Sequence, residues 1–361
     1  MRLFQNAGLY KSYKEKFNSL NGTQLSFESR IDRYIADRFN AVHLLKPVLE
    51  RQREVFFTNG DDKHLQYAWA VENGLNIKKL TIEDILMAQV EYHQSEVFYN
   101  LDPLRFSSSF VKKLPGCVKR KICWRAAPSP GADLSGYDLV VCNFPSILSQ
   151  WKSLGWGAAY MTPAHDPVMD IYGIQVNRPI DILFIGGFSR HHKKRALILE
   201  AVAALSNEYN ICYLMDESFL TRIAESPVGY LPGLSTYKRP SNVISISSPP
   251  VFGIEMYKKI SQAKIVLNGA IDMSGLDRGN MRCFETLGCG ALMLSDEGHY
   301  PDGFRNQTTM LNYYDIDDVV SKIHSVLGGW NDFSHIAHQG FEMVRTKYSK
   351  SAQWELFTSL L

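Results

Sequence analysis

A stretch of polar and glycine residues, Asp277-Arg-Gly-Asn280, comes directly before a short amphipathic segment that contains Glu285. Asn280 is a typical N-cap residue, because its side chain can accept a hydrogen bond from a first-turn N–H group. Gly290 is typical of a helix that ends in a left-handed conformation, and the apolar segment 291–294 follows it. The stretch predicts a loop, a short helix and a buried strand, with free N–H groups at the helix start that suit an anion. An ordinary helix-to-strand connection is the alternative.

A second candidate for anion binding, segment 186–195, follows the predicted strand 181–185 and opens a predicted helix. Its two glycines allow a backbone to approach a ligand closely, and its basic residues lie at the positive end of the helix dipole, where an anion would offset their repulsion. The segment matches neither the GxGxxG dinucleotide fingerprint nor a Walker sequence. The pattern favours a phosphate or diphosphate, with a solvated charged face as the alternative. The residues concerned are Gly187, Arg190, Lys194 and Arg195.

Polar residues also follow other predicted strands, at the ends where parallel sheets bind their ligands. Asn268 follows segment 264–267, where its amide would reach a ligand or form a turn before the next glycine. In the first half of the chain, Asp102 and His165 follow predicted strands in the same way. Both are candidates for a general base, and both residue types also serve as turn residues.

The rhythm of the chain predicts an α/β fold. Short apolar segments alternate with loops or helices in both halves, which is typical of parallel sheets covered on both faces. Residues 44–76, apart from a turn at 59–62, are predicted to be helical. The predicted strands are 97–99, 121–124, 139–142, 158–160, 181–185, 210–214, 243–246, 264–267 and 291–294.

The length of 361 residues is long for a single core and predicts two domains. We expect an N-terminal domain over residues 1–170, a linker over 171–180 and a C-terminal domain over 181–335. A C-terminal helix over 336–361 is expected to pack back toward the N-terminal domain.

The composition excludes several classes of protein. Hydrophobic residues make up 45% and charged residues 21%, as in an ordinary folded protein. The net charge of +2 provides no basic field of the kind that nucleic-acid binding needs. The sequence has no apolar run long enough to span a membrane, no signal-peptide pattern at the N-terminus and no Cys/His cluster at metal spacing. We expect a cytoplasmic protein without a bound metal.

A basic and aromatic segment, residues 10–16, follows the first apolar residues of the chain. Such a mixture is typical of a solvated helix face. Contact with an acidic acceptor or with the inner face of a membrane is the alternative.

The stretch 276–296, together with segment 256–268, is similar to the C-terminal domain of group 1 glycosyltransferases, above all the spore-maturation-type branch. The resemblance covers roughly residues 180–360, whereas the N-terminal half matches only in its rhythm. An arginine, a Phe-Glu pair and a Cys-Gly turn meet the family pattern at Arg282, Phe284, Glu285, Cys289 and Gly290.

The resemblance implies the GT-B architecture, in which two Rossmann-like doubly wound parallel-sheet domains face each other across a cleft. The C-terminal domain would hold a nucleotide-sugar, which acts as a co-substrate without a further cofactor, and the N-terminal domain would hold the acceptor. In similar enzymes a glutamate at the position of Glu285 bonds the ribose hydroxyls. Basic residues after the first strand of that domain neutralise the diphosphate. The implied nucleotide-sugar contacts are Gly187, Arg190, Lys194, Arg195, Asn268, Asn280, Met281, Arg282 and Glu285.

Asp277 stands where many retaining relatives carry a second glutamate that contacts the donor sugar. This shorter side chain leaves the sugar contact and the stereochemical outcome open. Asp277 is therefore a catalytic candidate together with Asp102 and His165, of which the last two would act only in an inverting enzyme.

These features lead to the hypothesis of a metal-independent glycosyltransferase in cell-surface polysaccharide synthesis, with a glycan or lipid-linked glycan as the acceptor. A nucleotide-sugar epimerase and a non-catalytic nucleotide-sugar-binding module are the alternatives. The donor sugar, its base, the linkage and the oligomeric state are not determined by the sequence.

Overall fold

A computed structural model describes residues 1–227, 229, 233–269 and 275–361 of the chain. The described residues form two compact units. Unit 1 comprises Met1–Thr162 and Lys350–Leu361, and unit 2 comprises Pro163–Ser349.

Unit 1 contains a sheet of six strands that are all parallel, in the order β2-β1-β3-β4-β5-β6. Apolar side chains of the strands are buried on both faces of the sheet, because helices cover both faces. The strands are β1 (Leu3–Asn6), β2 (Val55–Thr58), β3 (Val97–Asn100), β4 (Arg120–Trp124), β5 (Leu139–Cys142) and β6 (Ala158–Tyr160).

Three helices of unit 1, α2, α4 and α5, begin at side-chain caps. Ser26 caps α2 through the N–H of Ser29, and Thr81 and Asp84 form the capping box that the sequence predicts for α5. The helices are α1 (Lys11–Asn21), α2 (Phe27–Asp37), α3 (Lys46–Leu49), α4 (Lys63–Glu72), α5 (Ile82–His93), α6 (Ser108–Val111) and α7 (Pro145–Ser153).

The prediction of helix throughout 44–76 is wrong at β2. Val55–Thr58 pairs with Leu3–Asn6 residue by residue, and Phe57 and Thr58 are buried. Aromatic and β-branched residues fit this half-buried strand, and the turn residues on either side limit it to four positions.

Unit 2 contains a second sheet of six parallel strands, in the order β12-β11-β10-β7-β8-β9. Its core lies between the sheet and its helices and includes the buried residues Ile182, Ile265 and Leu292. The strands are β7 (Ile180–Gly186), β8 (Ile211–Met215), β9 (Ser247–Ser248), β10 (Ala263–Leu267), β11 (Leu292–Asp296) and β12 (Leu311–Tyr313).

The predicted strand 243–246 is also wrong, because a short helix, α11, covers most of it. Pro240 has the backbone conformation of an N-cap, and Val243 points into the core of unit 2. The helices are α8 (Asp170–Gly173), α9 (Lys193–Ala203), α10 (Phe219–Ala224), α11 (Ser241–Ser245), α12 (Gly253–Ser261), α13 (Met281–Gly288), α14 (Ile316–Gly328) and α15 (Trp330–Lys347).

The change from unit 1 to unit 2 lies at Thr162 and Pro163, so segment 171–180 falls within unit 2. Packing accounts for this position. A Cβ on Gly173 would meet the ring of Phe341 at 2.3 Å, and the guanidinium of Arg178 donates to the carbonyls of Ser261 and Ala263. Segment 171–180 is thus attached to the body of unit 2.

The last helix, α16 (Lys350–Ser359), returns to unit 1. The buried amine of Lys350 donates to the carbonyl of Leu44 at 2.7 Å. Gln353 donates to the carbonyls of Val42 and Thr162, both at 3.1 Å. The helix therefore satisfies backbone acceptors that unit 1 would otherwise bury without partners.

In the described residues, no helix is both long and apolar enough to cross a membrane.

The buried amine of Lys350 makes a testable contribution to stability. Lys350→Met keeps the length of the side chain and leaves the Leu44 carbonyl without its donor, which costs about 1–3 kcal/mol of unfolding free energy. Urea denaturation measures the change. Lys46→Met is the matched control, because Lys46 is more exposed and its amine makes surface contacts, with the hydroxyl of Ser351 on α16 and with the carboxylate of Glu50. Equal losses in the two variants would contradict the assignment.

Candidate functional site

The strand order of unit 2 reverses at β7, which has β8 on one side and β10 on the other. This is the order 3-2-1-4-5-6 of a dinucleotide-binding fold when the strands are numbered within the unit. The loops after β7 and β10 lead to opposite faces of the sheet, so a crevice opens between them at the carboxyl ends of the strands. Gly187 directly follows β7, and Asn268 directly follows β10. We call this place the unit 2 crevice.

Arg195 lies at the unit 2 crevice, although it belongs to the first turn of α9. Its Nη2 donates to the carbonyl of Gly187 at 2.6 Å, and its guanidinium lies 5.1 Å from the ring centroid of Phe184. Burial lowers the pKa of the guanidinium, and the nearby Tyr313 and Asp296 partly oppose this shift. Its buried Nε has no hydrogen-bond partner among the described residues. Arg195 thus offers a donor to a bound anion.

The backbone at Gly187 leaves space for such a ligand. A Cβ at this position would meet one described atom within 4 Å, the carbonyl oxygen of Asp216 at 3.9 Å. The basic residues nearby are arranged differently from Arg195. Arg190 pairs with Glu200 of α9 at 3.0 Å, and Lys194 is exposed.

Asn268 connects the end of β10 to the start of α13. Its Nδ2 donates to the hydroxyl of Ser295 at 2.9 Å, and its Oδ1 lies 3.5 Å from Nδ2 of Asn280. Asn280 is the N-cap of α13, as the sequence predicts, and its Oδ1 accepts from the N–H of Cys283. Gly290 has the predicted left-handed conformation, with φ of 69°. The structure therefore brings Asn268 together with the start of α13.

Glu285 lies on the buried side of α13. Its side chain is 1% exposed and pairs with Arg282 at 2.7 Å. Burial raises the pKa of the Glu285 carboxyl, and the guanidinium of Arg282 partly opposes this. Nη1 of Arg282 also contacts the sulfur of Met256 on α12. Arg282 and Met281 are partly buried. Because Arg282 pairs with Glu285, it covers the carboxylate that the resemblance expects to bond the ribose hydroxyls.

Asp277 lies in the loop before α13, where its backbone forms a parallel bridge with His299. Its carboxylate is 7% exposed and lies 3.9 Å from Nδ1 of His299. The next residue, Arg278, makes the stronger ion pair, with its Nη2 2.8 Å from Oδ2 of Asp296. Sequence reasoning missed this pair. The position of Asp296 at the carboxyl end of an apolar strand is the signal that could have found it.

The strand order of unit 1 also reverses, between β1 and β3, and forms a second crevice at the carboxyl ends of those strands. Asn6 donates to Oδ1 of Asn100 across this crevice at 2.8 Å. Gly8 lies directly against Asp102, because a Cβ on the glycine would lie 3.2 Å from the aspartate side chain. Burial and the neighbouring Asp61 raise the pKa of Asp102. We call this place the unit 1 crevice.

The expectation that His165 lies at the loop edge of the N-terminal domain is wrong, because His165 belongs to unit 2. Its N–H donates to the carbonyl of Tyr348 at 2.7 Å. The ring is 3% exposed, hydrogen-bonds to Asp170 at 2.9 Å through Nε2 and lies against Gly288. These contacts enclose the imidazole within unit 2, whereas Asp102 belongs to unit 1.

Among the described residues, no group of three or more His, Cys, Asp or Glu side chains is placed so that it could hold a metal ion.

The raised pKa of Asp102 predicts a pH-dependent stability. The folded protein binds a proton at this carboxyl more tightly than the unfolded chain, so the resulting stabilisation is present at low pH and is lost as the pH rises through the folded pKa. Asp102→Asn removes this partly buried charge. We expect its melting temperature relative to the wild type to be higher at pH 7 than at pH 4. Glu15→Gln, an exposed carboxylate on α1, is the control. A pH-independent difference for Asp102→Asn would contradict the assignment.

Comparison with protein families gives a match over residues 229–358, to a family described as "Glycosyl transferase-like". A comparison with curated proteins found no match.

Solved structures match this chain over most or all of its length. HepE of Anabaena, in complex with UDP and glucose, is 9% identical and has a TM-score of 0.62, with 100% of this chain and 99% of that chain covered. A glycosyltransferase from Rickettsia africae is 9% identical with a TM-score of 0.56, and the match covers 99% of this chain and 97% of that one. Sucrose-phosphate synthase from Thermosynechococcus elongatus is 11% identical with a TM-score of 0.51, over 77% and 76% of the two chains.

At these identities the solved structures show the fold. The two doubly wound parallel sheets have the GT-B fold, and the C-terminal part of the chain matches the glycosyl transferase-like family.

Proposed function

We propose that this protein is a glycosyltransferase that transfers a sugar from a nucleoside-diphosphate sugar to a hydroxyl-bearing acceptor. The observation that carries the proposal is the unit 2 crevice, where Arg195, Gly187 and the capped start of α13 surround one place at the carboxyl ends of the strands. The family match over residues 229–358 and the complexes of HepE with UDP and UDP-glucose support it.

The unpaired Nε of Arg195 fits the chemistry of this reaction. Cleavage of a sugar–phosphate bond leaves negative charge on the diphosphate, and fixed donors stabilise that charge as it develops. A guanidinium that is already removed from water interacts more strongly with an anion than an exposed one does. A diphosphate at the unit 2 crevice would accept from Nε of Arg195, and the open backbone at Gly187 would allow its close approach.

The remaining donor contacts follow from the resemblance. We propose that Glu285 bonds the ribose hydroxyls, which requires the side chain of Arg282 to move away from the carboxylate. Asn268, Asn280 and Met281 would line the same place, with Arg190 and Lys194 near its entrance. Asp277 is proposed to contact the donor sugar.

The base on the acceptor is proposed to be Asp102 if the reaction inverts the configuration of the sugar. The pKa of Asp102 is raised toward neutral pH, which suits a general base. If the reaction retains the configuration, Asp102 has no such role. The enclosed His165 is the weaker choice for proton transfer because its Nε2 is already bonded to Asp170.

We further propose that the reaction needs neither a metal nor a cofactor, because Arg195 and the start of α13 supply the positive charge at the leaving group. A glycan or lipid-linked glycan of the cell surface is the proposed acceptor, and the spore-maturation-type branch is the proposed subfamily, on the residues Arg282, Phe284 and Glu285. The proposed location is the cytoplasm, with peripheral contact to the inner face of the membrane through residues 10–16.

The test is the binding of nucleotides and nucleotide-sugars by wild type and by Arg195→Met. We expect at least one of UDP, GDP, dTDP or CMP to raise the melting temperature, together with its nucleotide-sugars. We also expect such a nucleotide-sugar to be hydrolysed, or its sugar to be transferred, in the presence of EDTA. Loss of a charge-assisted hydrogen bond weakens binding by about 10–100-fold in Arg195→Met. Isothermal titration calorimetry measures this loss.

Arg305→Met is the matched control, because Arg305 is an exposed arginine of unit 2, with 72% of its side chain accessible. An equal effect of the two substitutions, or no response of the wild type to any nucleotide, would contradict the proposal. Conversion of the donor into an epimer without an acceptor would identify the reaction as epimerisation. Binding without any turnover would identify a non-catalytic module.

A further inference from the structure

The positive charge of the chain is concentrated in one part of unit 1. Residues 103–162 contain eight lysine and arginine residues and two acidic residues, Asp133 and Asp138. Of the 39 lysine and arginine residues and the 37 acidic residues of the whole chain, 31 and 35 lie elsewhere, so the rest of the chain is negatively charged. The segment comprises β4, β5, β6, α6 and α7. This side of unit 1 therefore has a local positive field that attracts anions.

Arg125 belongs to this segment and lies at the unit 1 crevice. It directly follows β4, and β4 pairs with β3 so that Cys123 is opposite Asn100. The same register, continued by two residues, places Arg125 beside Asp102. Burial lowers the pKa of the Arg125 guanidinium, and the negative charge of Asp102 partly opposes this shift. Asp102 thus has Gly8 on its β1 side and Arg125 on its β4 side.

The guanidinium of Arg125 is held by one of its nitrogens and presents the other two. Its Nε donates to the hydroxyl of Ser129 at 2.7 Å, and this hydroxyl donates to the carbonyl of Ala127 at 3.3 Å. In the described part of the chain, no acceptor bonds Nη1 or Nη2, and no carboxylate forms an ion pair with them. A side chain that is already fixed loses less entropy when it binds a ligand.

Two other cations near the unit 1 crevice are placed differently. The amine of Lys14 is bound to the carboxylate of Asp61 at 2.8 Å. Arg105 is exposed, and its guanidinium lies 5.6 Å from the ring centroid of Phe106. Arg125 differs from Lys14 in having two nitrogens without an acceptor among the described residues, and it differs from Arg105 in being partly buried.

The shape of the guanidinium indicates what it can bind. Two adjacent N–H donors in one plane match two oxygens of a carboxylate or of a phosphate. Hydrogen bonds of this charge-assisted kind are about twice as strong as those between neutral groups, so an oxyanion offsets the partial burial of Arg125 better than a hydroxyl group does. Asp102 is not that oxyanion, because it forms no ion pair with Arg125 in the described structure.

We propose that Arg125 binds an oxyanion, a carboxylate or a phosphate, that the acceptor carries close to the hydroxyl group that receives the sugar. The inference rests on the proposed glycosyltransferase function and deepens it, because it makes the acceptor an acidic one. The hydroxyl group would lie at Asp102, and the oxyanion would lie one strand further along the sheet. Neighbouring strands are about 4.8 Å apart, so a single acidic or phosphorylated sugar residue is large enough to reach both side chains.

The experiment compares the binding of acidic and neutral sugars in the absence of nucleotide. Glucuronate carries a carboxylate, glucose 6-phosphate carries a phosphate, and glucose is the neutral comparison. Saturation-transfer NMR at millimolar concentrations gives the three dissociation constants. We expect the wild type to bind at least one acidic probe about 10-fold more tightly than glucose, and the probe that binds identifies the oxyanion. Arg125→Met should remove this preference and leave the binding of glucose unchanged.

Arg53→Met is the matched control, since Arg53 is an exposed arginine of unit 1 that precedes β2, at the opposite end of the sheet. It removes the same charge and should keep the preference for the acidic probe. Ser129→Ala is a second variant that keeps the charge and releases Nε of Arg125. It should weaken the binding of the acidic probe several-fold. A preference that persists in Arg125→Met, or that falls equally in Arg53→Met, would overturn the proposal.

Arg195→Met separates the two crevices, because a phosphate also fits the unit 2 crevice. An acidic probe that is bound at Arg125 keeps its affinity in Arg195→Met, whereas a nucleotide loses affinity. A probe that is lost in Arg195→Met but retained in Arg125→Met binds in unit 2, which overturns the inference.

Two further results distinguish this inference from the proposed function. A wild type that binds nucleotides but shows no preference for either acidic probe overturns the inference and leaves the glycosyltransferase proposal standing. A wild type that prefers an acidic probe through Arg125 but binds no nucleotide supports the anion site and removes the proposed function.

Discussion

Reversal of strand order is the constraint on which both candidate sites depend. At such a reversal, one right-handed crossover runs along one face of the sheet and the other crossover runs along the opposite face. The two loops that begin these crossovers therefore separate and leave the carboxyl ends of the strands uncovered. The reversal lies between β7 and β10 in unit 2 and between β1 and β3 in unit 1. Each uncovered place is lined by backbone groups and by the first side chains after the strands. The residues that directly follow these four strands therefore determine what each unit can bind.

The two crevices contain opposite chemistry on the same framework. In unit 2 the reversal is lined by Arg195, a partly buried cation with an unused donor, and the loop after β7 is open at Gly187. In unit 1 the corresponding side chain is Asp102, whereas the amides of Asn6 and Asn100 are buried and bonded to each other. A crevice lined by a cation favours an anionic group, and one lined by a carboxylate favours hydroxyl groups. This division is consistent with the proposed reaction, in which a diphosphate leaves and an alcohol attacks.

The sequence allowed the fold class to be predicted because it depends on repeated local patterns, such as the apolar strands of both sheets and the cap residues Asn280 and Gly290. The two elements that were predicted wrongly, β2 and α11, are isolated from the regular alternation and have four and five residues. The difference between Arg190 and Arg195 was not predictable at all. Both arginines lie at the start of α9, yet Arg190 pairs with Glu200, whereas Arg195 donates to the carbonyl of Gly187.

The connectivity of the two units has a consequence for synthesis of the protein. Residues 1–162 leave the ribosome first, but α16, which completes unit 1, is made only after the whole of Pro163–Ser349. Until then the carbonyls of Val42, Leu44 and Thr162 lack the donors of Lys350 and Gln353. Unit 2 is one continuous segment and can complete its folding as soon as it emerges. The unit that is translated first is therefore the one that matures last.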